Sequence, residues 1–248
     1  MWKVTQIAIK GRSHENSGTP CQDKTFSLNN NECFAVSLAD GAGSAAHSEI
    51  GAQGVTKKVC EVLTEKFDEY FSAETSDKVA EELLAALIEE LEKISAVSNC
   101  DLKDLASTLL AVAVKNDNFL AVHVGDGVIG MLDGDFLAVL STPDNGEFSN
   151  ETTFVTSPDA ISHLRLYKGN IDEVSAFMLM SDGTASGFYQ RQSQNLMPVM
   201  KKIIQAAKIL PVEEVEKGLA ENFRETLCKI TADDCSLVLL LKCADESL

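Results

Sequence analysis

Short apolar runs and longer amphipathic stretches follow one another along this chain of 248 residues. Apolar runs bounded by turn residues predict β-strands, and apolar positions three or four apart predict helices that bury one face. Strands are predicted at 4–9, 34–39, 109–114, 119–124, 128–132, 136–140, 153–156, 161–167, 176–181 and 235–242. Helices are predicted at 45–71, 76–97, 194–210 and 212–227, and the segment 11–24 is predicted to be a polar loop.

The order of these elements indicates the fold class. The helices come in pairs, and the strands come mostly as meanders joined by short turns such as Asp133-Gly134. Strict alternation of strand and helix, which is typical of a doubly wound parallel sheet, is absent. We therefore expect an α+β fold in which two mainly antiparallel sheets pack face to face, with helix pairs outside.

The charge balance narrows the range of partners. Lysine and arginine together number 21 and aspartate and glutamate 38, so the formal net charge is −17. Proteins bind nucleic acid largely through cationic contacts to phosphate, and anionic membrane surfaces also attract cationic segments. We therefore expect neither a nucleic-acid partner nor a membrane partner.

Length and cysteine usage predict one domain in a reducing compartment. With 45% hydrophobic residues, the chain can form one sizeable core, so residues 1–248 are expected to be a single domain. No apolar stretch approaches the ~20 residues of a spanning helix, and no apolar segment of the signal-peptide type follows Met1. The seven cysteines are scattered without a Cys-x-x-Cys pair, which favours a cytoplasmic location.

Aspartates stand at the ends of strongly apolar predicted strands. Asp40 and Asp182 each directly follow such a run, and Asp233-Asp234 directly precede the last one. A charged carboxylate at the end of a buried strand costs free energy unless it is hydrated, paired or bound to a metal. Several that converge there predict an all-oxygen site for Mg²⁺ or Mn²⁺, and hence metal-assisted hydrolysis.

Asp-Gly pairs occur at 40–41, 126–127, 133–134 and 182–183. Asp133-Gly134 lies between two short strands and is typical of a hairpin turn. Asp40-Gly41 is instead followed by small residues and a helix, so the backbone can approach a ligand and Gly41 can offer its carbonyl. Asp182-Gly183 is likewise not followed by a strand. Asp126-Gly127 fits a turn and a ligand site equally well.

In order along the chain, several short segments resemble the metal-dependent serine/threonine protein phosphatases of the type 2C class, and in detail a divergent bacterial branch of that family. The matching segments are Gly11-Arg12 with Gln22-Asp23, Ala39-Asp40-Gly41-Ala42-Gly43, Ala106-Ser107-Thr108, His123-Val124-Gly125-Asp126, Met180-Ser181-Asp182-Gly183 and Asp233-Asp234-Cys235-Ser236-Leu237-Val238. No single segment is specific, but together they span residues 11 to 238 in the family's order, each at a predicted strand end.

The resemblance implies a four-layer α-β-β-α sandwich with a two-metal site at one end of the sheets. Carried over residue by residue, Asp40 would bridge both metals, and Gly41 would bind one of them through its carbonyl. Asp182 and Asp233 would hold the other metal. Asp126 would match the acid of the family's weaker third-metal site.

Two pairs of residues depart from the family's pattern. The family's Asp-Asn pair aligns with Asp233-Asp234, so Asp234 stays an alternative to Asp233 as the ligand. The family's usual Glu-Asp pair is Gln22-Asp23 here. Gln22 can still orient a metal-bound water, but it brings no charge, which predicts weaker metal binding.

The resemblance places the phosphate-binding and proton-donating groups less clearly. The family's phosphate-binding arginine lies a few residues before the Glu-Asp pair, whereas Arg12 precedes Gln22 by ten positions. Arg12 is the first candidate and His14 is its rival. Some relatives carry a general-acid histidine directly after Asp-Gly, where this chain has Ala42. His47 is expected to be a surface residue at a helix N-terminus, which leaves protonation of the leaving group to metal-bound water.

Taken together, the chain is predicted to be a cytoplasmic phosphatase that acts on phosphoserine or phosphothreonine in a phosphoprotein, by means of a water activated between two Mn²⁺ or Mg²⁺ ions. A weaker third ion and the oligomeric state are left open. Two alternatives also stay open: a catalytically weak or inactive module that binds a regulatory phosphoprotein, and a phosphomonoesterase for small molecules. The loop 142–151 falls where the family carries a variable flap, and a role in substrate recognition is left open.

Overall fold

The computed structural model describes residues 1–30, 32–144 and 152–243. The strands in these ranges are β1 (Trp2–Ile9), β2 (Lys24–Asn29), β3 (Cys33–Ala39), β4 (Leu109–Lys115), β5 (Asn118–Val124), β6 (Val128–Asp133), β7 (Phe136–Ser141), β8 (Arg165–Asn170), β9 (Val174–Met180), β10 (Tyr189–Gln190), β11 (Asn195–Leu196) and β12 (Cys235–Lys242). The helices are α1 (Arg12–Ser17), α2 (Ser48–Glu65), α3 (Phe67–Ser72), α4 (Ser76–Ser98), α5 (Ala160–His163), α6 (Asp182–Phe188), α7 (Val199–Ile209), α8 (Val212–Asn222) and α9 (Cys228–Ile230), with a 3₁₀ turn at Leu102–Leu105 and a π turn at Phe223–Leu227.

Two five-stranded antiparallel sheets form the centre of the molecule. The first sheet has the order β1-β12-β9-β6-β7 and the second has the order β2-β3-β4-β5-β8. All neighbouring strands in both sheets run antiparallel. Strands β10 and β11 form a separate two-stranded ribbon. The mainly antiparallel arrangement that the meanders predict is therefore confirmed.

Three apolar clusters separate four layers. One cluster packs α2 and α4 against the second sheet, with Leu63 and Leu87 fully buried. Another lies between the two sheets and includes Val112 and Phe177. The third packs α7 and α8 against the first sheet. The order helix, sheet, sheet, helix confirms the predicted α-β-β-α sandwich.

The last strand shows why a continuous apolar run is needed at the centre. Side chains alternate between the two faces of a strand. In β12, Leu237, Leu239 and Leu241 face the helix layer, while Val238 and Leu240 face the other sheet. Both faces are therefore buried, and the strand shows no alternation of apolar and polar residues.

Several element predictions were wrong in detail. Strand β2 was missed, and the predicted loop at 11–24 contains helix α1, which has no buried residue and hence no apolar periodicity. The segment 153–156 is not a strand, and 161–167 is divided between α5 and β8. The predicted helix 45–71 is divided between α2 and α3, and the helix predicted from 194 begins only after Pro198.

The antiparallel order brings the functional segments to one end of the sandwich. Strands β1, β3, β5 and β9 end there, and β2, β4, β6 and β12 begin there, because antiparallel neighbours have their opposite termini side by side. The polar segments between these strands therefore meet. Among the described residues, the longer helices are too polar to be candidates for a membrane span.

Candidate active site

A polar cleft opens at this end of the sandwich. It has a volume of about 170 Å³ and is lined by His14, Gln22, Asp40, Gly41, Ala42, Gly43, Thr108, Asp126, Thr152, Phe154, Asp182 and Asp233. All five positions predicted to bind metal contribute to this lining. A larger groove of about 450 Å³ runs along α4 beside Ile161, but it is shallow and mainly apolar, and none of these aspartates lines it.

Asp40 directly follows strand β3 and lines the cleft. Thr108, which directly precedes β4, holds its backbone. The Asp40 N–H donates to Thr108 Oγ1 at 2.9 Å, and the Thr108 N–H donates to the Asp40 carbonyl at 2.8 Å. The next residue, Gly41, bridges to Ser107. A Cβ at Gly41 would lie 2.8 Å from Ser48 Oγ, so a side chain there would push the loop away from α2.

Three further aspartates reach the cleft from separate elements. Asp182 is the first residue of α6, and its Oδ1 accepts the Gly183 N–H at 2.5 Å. Asp126 lies between β5 and β6, and its Oδ2 accepts the Thr152 hydroxyl at 2.7 Å. Asp233 precedes β12 and is exposed to solvent. The four carboxylates thus come from distant parts of the chain.

The crowded carboxylates perturb one another. Burial, and then the negative charges of Asp23 and Asp182, raise the pKa of Asp40 well above its ordinary value. Burial, and then the charges of Asp126 and Asp233, raise the pKa of Asp182 to about 6. The proximity of Asp182 adds to the rise in the pKa of Asp40, because two neighbouring carboxylates resist ionising together.

Gln22 and Asp23 lie deeper. Gln22 is 4% exposed, and its Oε1 has no donor within the described residues. Burial raises the pKa of Asp23 to about 7, although the nearby Ser236 hydroxyl opposes the rise. Neither Asp23 oxygen makes a well-formed hydrogen bond to a described residue. Because buried acceptors without donors are rare, these oxygens mark a place for water or a ligand.

The second aspartate of the pair 233–234 faces away from the cleft. Asp234 is 1% exposed, and its two oxygens accept the Gly11 N–H at 2.7 Å and the Gln22 N–H at 2.6 Å. Burial alone would raise the pKa of Asp234, but these two hydrogen bonds, and then the neighbouring His14, lower it below its ordinary value. Asp234 therefore fastens the segment 11–22 beside the cleft, and Asp233 is the member of the pair that lines it.

Arg12 and His14 point in different directions. The Arg12 side chain is exposed and donates a long hydrogen bond of 3.4 Å to the Lys229 carbonyl, away from the residues that line the cleft. His14 lines the cleft, and its Nδ1 lies 3.0 Å from Asp234 Oδ1. The position of Arg12 therefore argues against its predicted contact with phosphate, because the short helix α1 turns it outward. The position of His14 favours the rival.

The other histidines named by sequence lie outside the cleft lining. His47 precedes α2, as expected for a residue at a helix N-terminus. His123 is fully buried in β5, where Nε2 lies 2.8 Å from the Gly125 carbonyl and Nδ1 lies 2.7 Å from Ser141 Oγ. Of the predicted flap, residues 145–151 lie outside the described residues.

Sequence reasoning gave no role to three residues that line the cleft, namely Thr108, Thr152 and Phe154. Thr108 holds the Asp40 backbone and Thr152 holds the Asp126 carboxylate. The signal for Thr108 was its place at the start of a predicted strand opposite Asp40. Phe154 lies in the segment 153–156 that was predicted to be a strand, and Thr152 directly precedes that segment, so their position beside the cleft was not predicted.

The donor set fits a hard divalent cation in its chemistry. Four aspartates and the Gly41 carbonyl are oxygen donors, which suit Mg²⁺ and Mn²⁺ rather than softer metals. The raised pKa values of Asp40 and Asp182 are those expected of buried, clustered carboxylates without a nearby positive charge. Within residues 1–30, 32–144 and 152–243, no three His, Cys, Asp or Glu side chains stand close enough to hold one ion by themselves. Backbone and water oxygens would therefore have to complete any ligand set.

Known proteins are similar to this chain in sequence. The model of the Protein phosphatase 2C family matches residues 10–224 of this chain. Serine/threonine-protein phosphatase 3 of Escherichia coli (strain K12) is 27% identical over 183 residues, which are 71% of this chain and 72% of that protein.

Solved structures show the same architecture. A crystal structure of a bacterial serine phosphatase superposes with a TM-score of 0.68 at 12% identity and covers 100% of both chains. The serine/threonine phosphatase of S. agalactiae superposes with a TM-score of 0.66 at 16% identity, over 98% of this chain and 100% of that one. At these identities the superpositions show a common fold, while the family match rests on the sequence. The resemblance inferred from the sequence is confirmed, and the chain belongs to the protein phosphatase 2C family of serine/threonine phosphatases.

Proposed function

We propose that this protein hydrolyses phosphoserine or phosphothreonine in phosphoprotein substrates, with two Mn²⁺ or Mg²⁺ ions bound in the cleft. The observation that carries the proposal is the convergence of Asp40, Asp126, Asp182 and Asp233 in one small polar cleft at the end of the sandwich. Family membership supports the reaction class. The whole chain is taken to act as one domain, since the first and last strands pair in one sheet.

The proposed ligands follow the order of the cleft residues. Asp40, the Gly41 carbonyl, Asp182 and Asp233 would hold the two ions. Asp126, already held by Thr152, would contribute to a weaker third site. When bound, the cations would supply charge stabilisation for the phosphoryl oxygens and lower the pKa of a coordinated water.

Residues of the chain itself supply the positioning. Thr108 fixes Asp40 through two backbone-directed hydrogen bonds, so the carboxylate is held before substrate arrives. The free Oε1 of Gln22 accepts a hydrogen bond from the attacking water and so orients it toward phosphorus. The neighbouring Asp23, which is also buried, accepts further hydrogen bonds from water. Water itself is the nucleophile in this scheme.

The surroundings of the cleft suit a protein substrate. A volume of about 170 Å³ accommodates a phosphate group with a short side chain, while the rest of a phosphoprotein stays outside. The net charge of −17 favours basic sequence around the phosphorylated residue. The seven cysteines, none of them in a disulfide, are compatible with the reducing cytoplasm that we propose as its location.

Comparison of substrate classes tests this proposal. Phosphate release should be measured with Mn²⁺ on phosphoserine and phosphothreonine peptides, on sugar phosphates and on p-nitrophenyl phosphate. The proposal predicts a higher kcat/KM for the peptides than for the sugar phosphates. A preference for sugar phosphates would identify a small-molecule phosphatase. Tight binding of a phosphopeptide without release of phosphate from any substrate would identify an inactive binding module.

A further inference from the structure

The ring of His14 connects a buried carboxylate with the cleft. His14 lies on α1, its side chain is 16% exposed, and it lines the cleft. Its Nδ1 is buried and lies 3.0 Å from Asp234 Oδ1, with the ring turned away from ideal hydrogen-bond geometry. Catalytic hydrogen bonds are often poorly aligned before substrate binds. The 3.0 Å separation is already within hydrogen-bond range, so only the orientation of the ring has to change.

Asp234 is well suited to orient a histidine. Its carboxylate is fixed by the N–H groups of Gly11 and Gln22, so its position does not depend on His14. An ionised carboxylate that accepts the Nδ1 proton leaves Nε2 at the opposite side of the ring. Because His14 lines the cleft and the buried Asp234 does not, a ring that directs Nδ1 at Asp234 leaves Nε2 available to a group bound in the cleft.

Few other groups in the cleft can give up a proton near neutral pH. The side chains of Gln22, Thr108 and Thr152 do not ionise in that range. The four lining aspartates must be deprotonated to bind cations. Ala42 stands where some members of the family carry a general-acid histidine. Among the described residues that line the cleft, His14 remains, and an imidazole is the side chain most often used as a general acid or base.

We infer that His14 is a catalytic residue of the phosphatase reaction: its Nε2–H protonates the serine or threonine oxygen as that oxygen leaves phosphorus, and Asp234 is the positioning residue that holds Nδ1–H. This inference rests on the proposed function. His14 and Asp234 would thus act on the leaving-group oxygen. The sequence analysis had considered His14 for a contact with the substrate phosphate instead.

The proton and electron balance of the step is complete. The bond between phosphorus and the side-chain oxygen breaks, and its electron pair stays on that oxygen, which takes the proton from Nε2. The attacking water forms the new bond to phosphorus. One of its protons stays on the product phosphate, and the other returns through solvent to His14. No oxidant, reductant or further reactant is needed.

A measurement on the metal-free protein tests the geometry. Long-range ¹H–¹⁵N spectra at alkaline pH report which ring nitrogen of a neutral histidine carries the proton, and the His14→Gln variant identifies the His14 signals. The inference predicts the proton on Nδ1, directed at Asp234. A proton on Nε2 would overturn the assignment, whatever the activity of the protein.

Leaving-group dependence tests the chemistry. A phosphoserine peptide releases a poor leaving group that needs a proton, whereas p-nitrophenolate leaves without one. His14→Gln should lower kcat on the peptide by ~10²-fold or more, as for loss of a general acid, and lower kcat on p-nitrophenyl phosphate by less than ~10-fold. His47→Gln, a histidine outside the cleft lining, is the matched control and should leave both rates unchanged.

The outcomes separate the two proposals. Equal losses on both substrates, or no loss on either, would overturn the role of His14 while the phosphatase activity of the wild type still stands. Absence of turnover by the wild type on both substrates would overturn the proposed function, and the catalytic role of His14 with it. Full p-nitrophenyl phosphate turnover by His14→Gln would also show that this variant is folded.

Discussion

Asp233 and Asp234 are neighbours with different surroundings, and their replacement should differ in its effect on stability. Asp234→Ala leaves the buried N–H groups of Gly11 and Gln22 without an acceptor. Each such loss costs ~1–3 kcal/mol, so the free energy of unfolding should fall by about 2–6 kcal/mol. Asp233 is exposed, and Asp233→Ala should change the free energy of unfolding by less than ~1 kcal/mol.

Urea unfolding of the two metal-free variants measures this difference. Metal must be absent, because a bound cation would add its own stabilisation to the wild type. Equal losses in the two variants would show that Asp234 has no special part in holding the segment 11–22. The sequence predicted the importance of the pair, and the family resemblance favoured Asp233 as the ligand. The role of Asp234 was not predictable, because it depends on how the distant Gly11 and Gln22 pack.

His123 makes the stability of the protein depend on pH. Burial, and then the positive charge of Arg165, lower the pKa of His123 to about 3, although the Gly125 carbonyl and Asp144 oppose the shift. In the unfolded chain the ring titrates near ~6.5. Below that pH the unfolded state binds a proton on His123, whereas the folded state does not. Stability is therefore fully present above pH ~6.5 and falls as the pH drops toward ~3.

The expected size of this effect is about 2 kcal/mol lost at pH 5 relative to neutral pH. Chemical denaturation of the wild type and of His123→Gln at several pH values isolates the contribution, since the other titrating groups are common to both. The wild type should lose about 2 kcal/mol more than the variant over this interval. Parallel stability profiles would contradict the buried neutral state of His123.

Among the helices and strands, those with strong apolar signals were predictable and those with polar faces were not. Strand β12 and helix α4 were placed nearly to the residue, because each buries a continuous run or stripe of leucines. Helix α1 has no buried residue, so its sequence gave no periodic signal. Helix α1 is nevertheless important for the site, because it places His14 rather than Arg12 in the lining of the cleft.

Helix α2 supports the Asp40 loop through a close backbone approach at Gly51. A Cβ at this position would collide with the Leu105 carbonyl of the 3₁₀ turn. The same turn accepts the His47 N–H, and the following residue Ala106 accepts the Ala42 N–H. Gly51→Ala should therefore lower the free energy of unfolding by ~1–3 kcal/mol through overpacking, despite the better helix propensity of alanine.

Gly218 provides the matched comparison. It lies inside α8 with nothing within 4 Å of its would-be Cβ. Gly218→Ala should raise the free energy of unfolding by about 0.5–1 kcal/mol. Urea denaturation of both variants measures the two values. Stabilisation by Gly51→Ala would contradict the tight contact between α2 and the 3₁₀ turn.

In the molecule as a whole, the cleft requires both sheets. Asp40 follows a strand of the second sheet, whereas Asp182 and Asp233 flank strands of the first. The sequence predicted that these carboxylates end buried strands, and the family resemblance predicted that they meet. The distances between them and the paths of their side chains were not predictable, because they depend on how the two sheets pack against each other.

The central claim is that this cleft is a metal-dependent phosphatase site. The most direct test is to titrate the metal-free protein with Mn²⁺ and to measure phosphate release from a phosphoserine peptide. Turnover should appear with Mn²⁺, vanish in excess EDTA and return when Mn²⁺ is restored. Asp182→Asn, which keeps an oxygen to accept the Gly183 N–H, should stay folded and lose ~10³-fold in kcat, since bound metal contributes several kcal/mol to transition-state stabilisation. Undiminished turnover in excess chelator, or near-normal kcat in Asp182→Asn, would contradict the account.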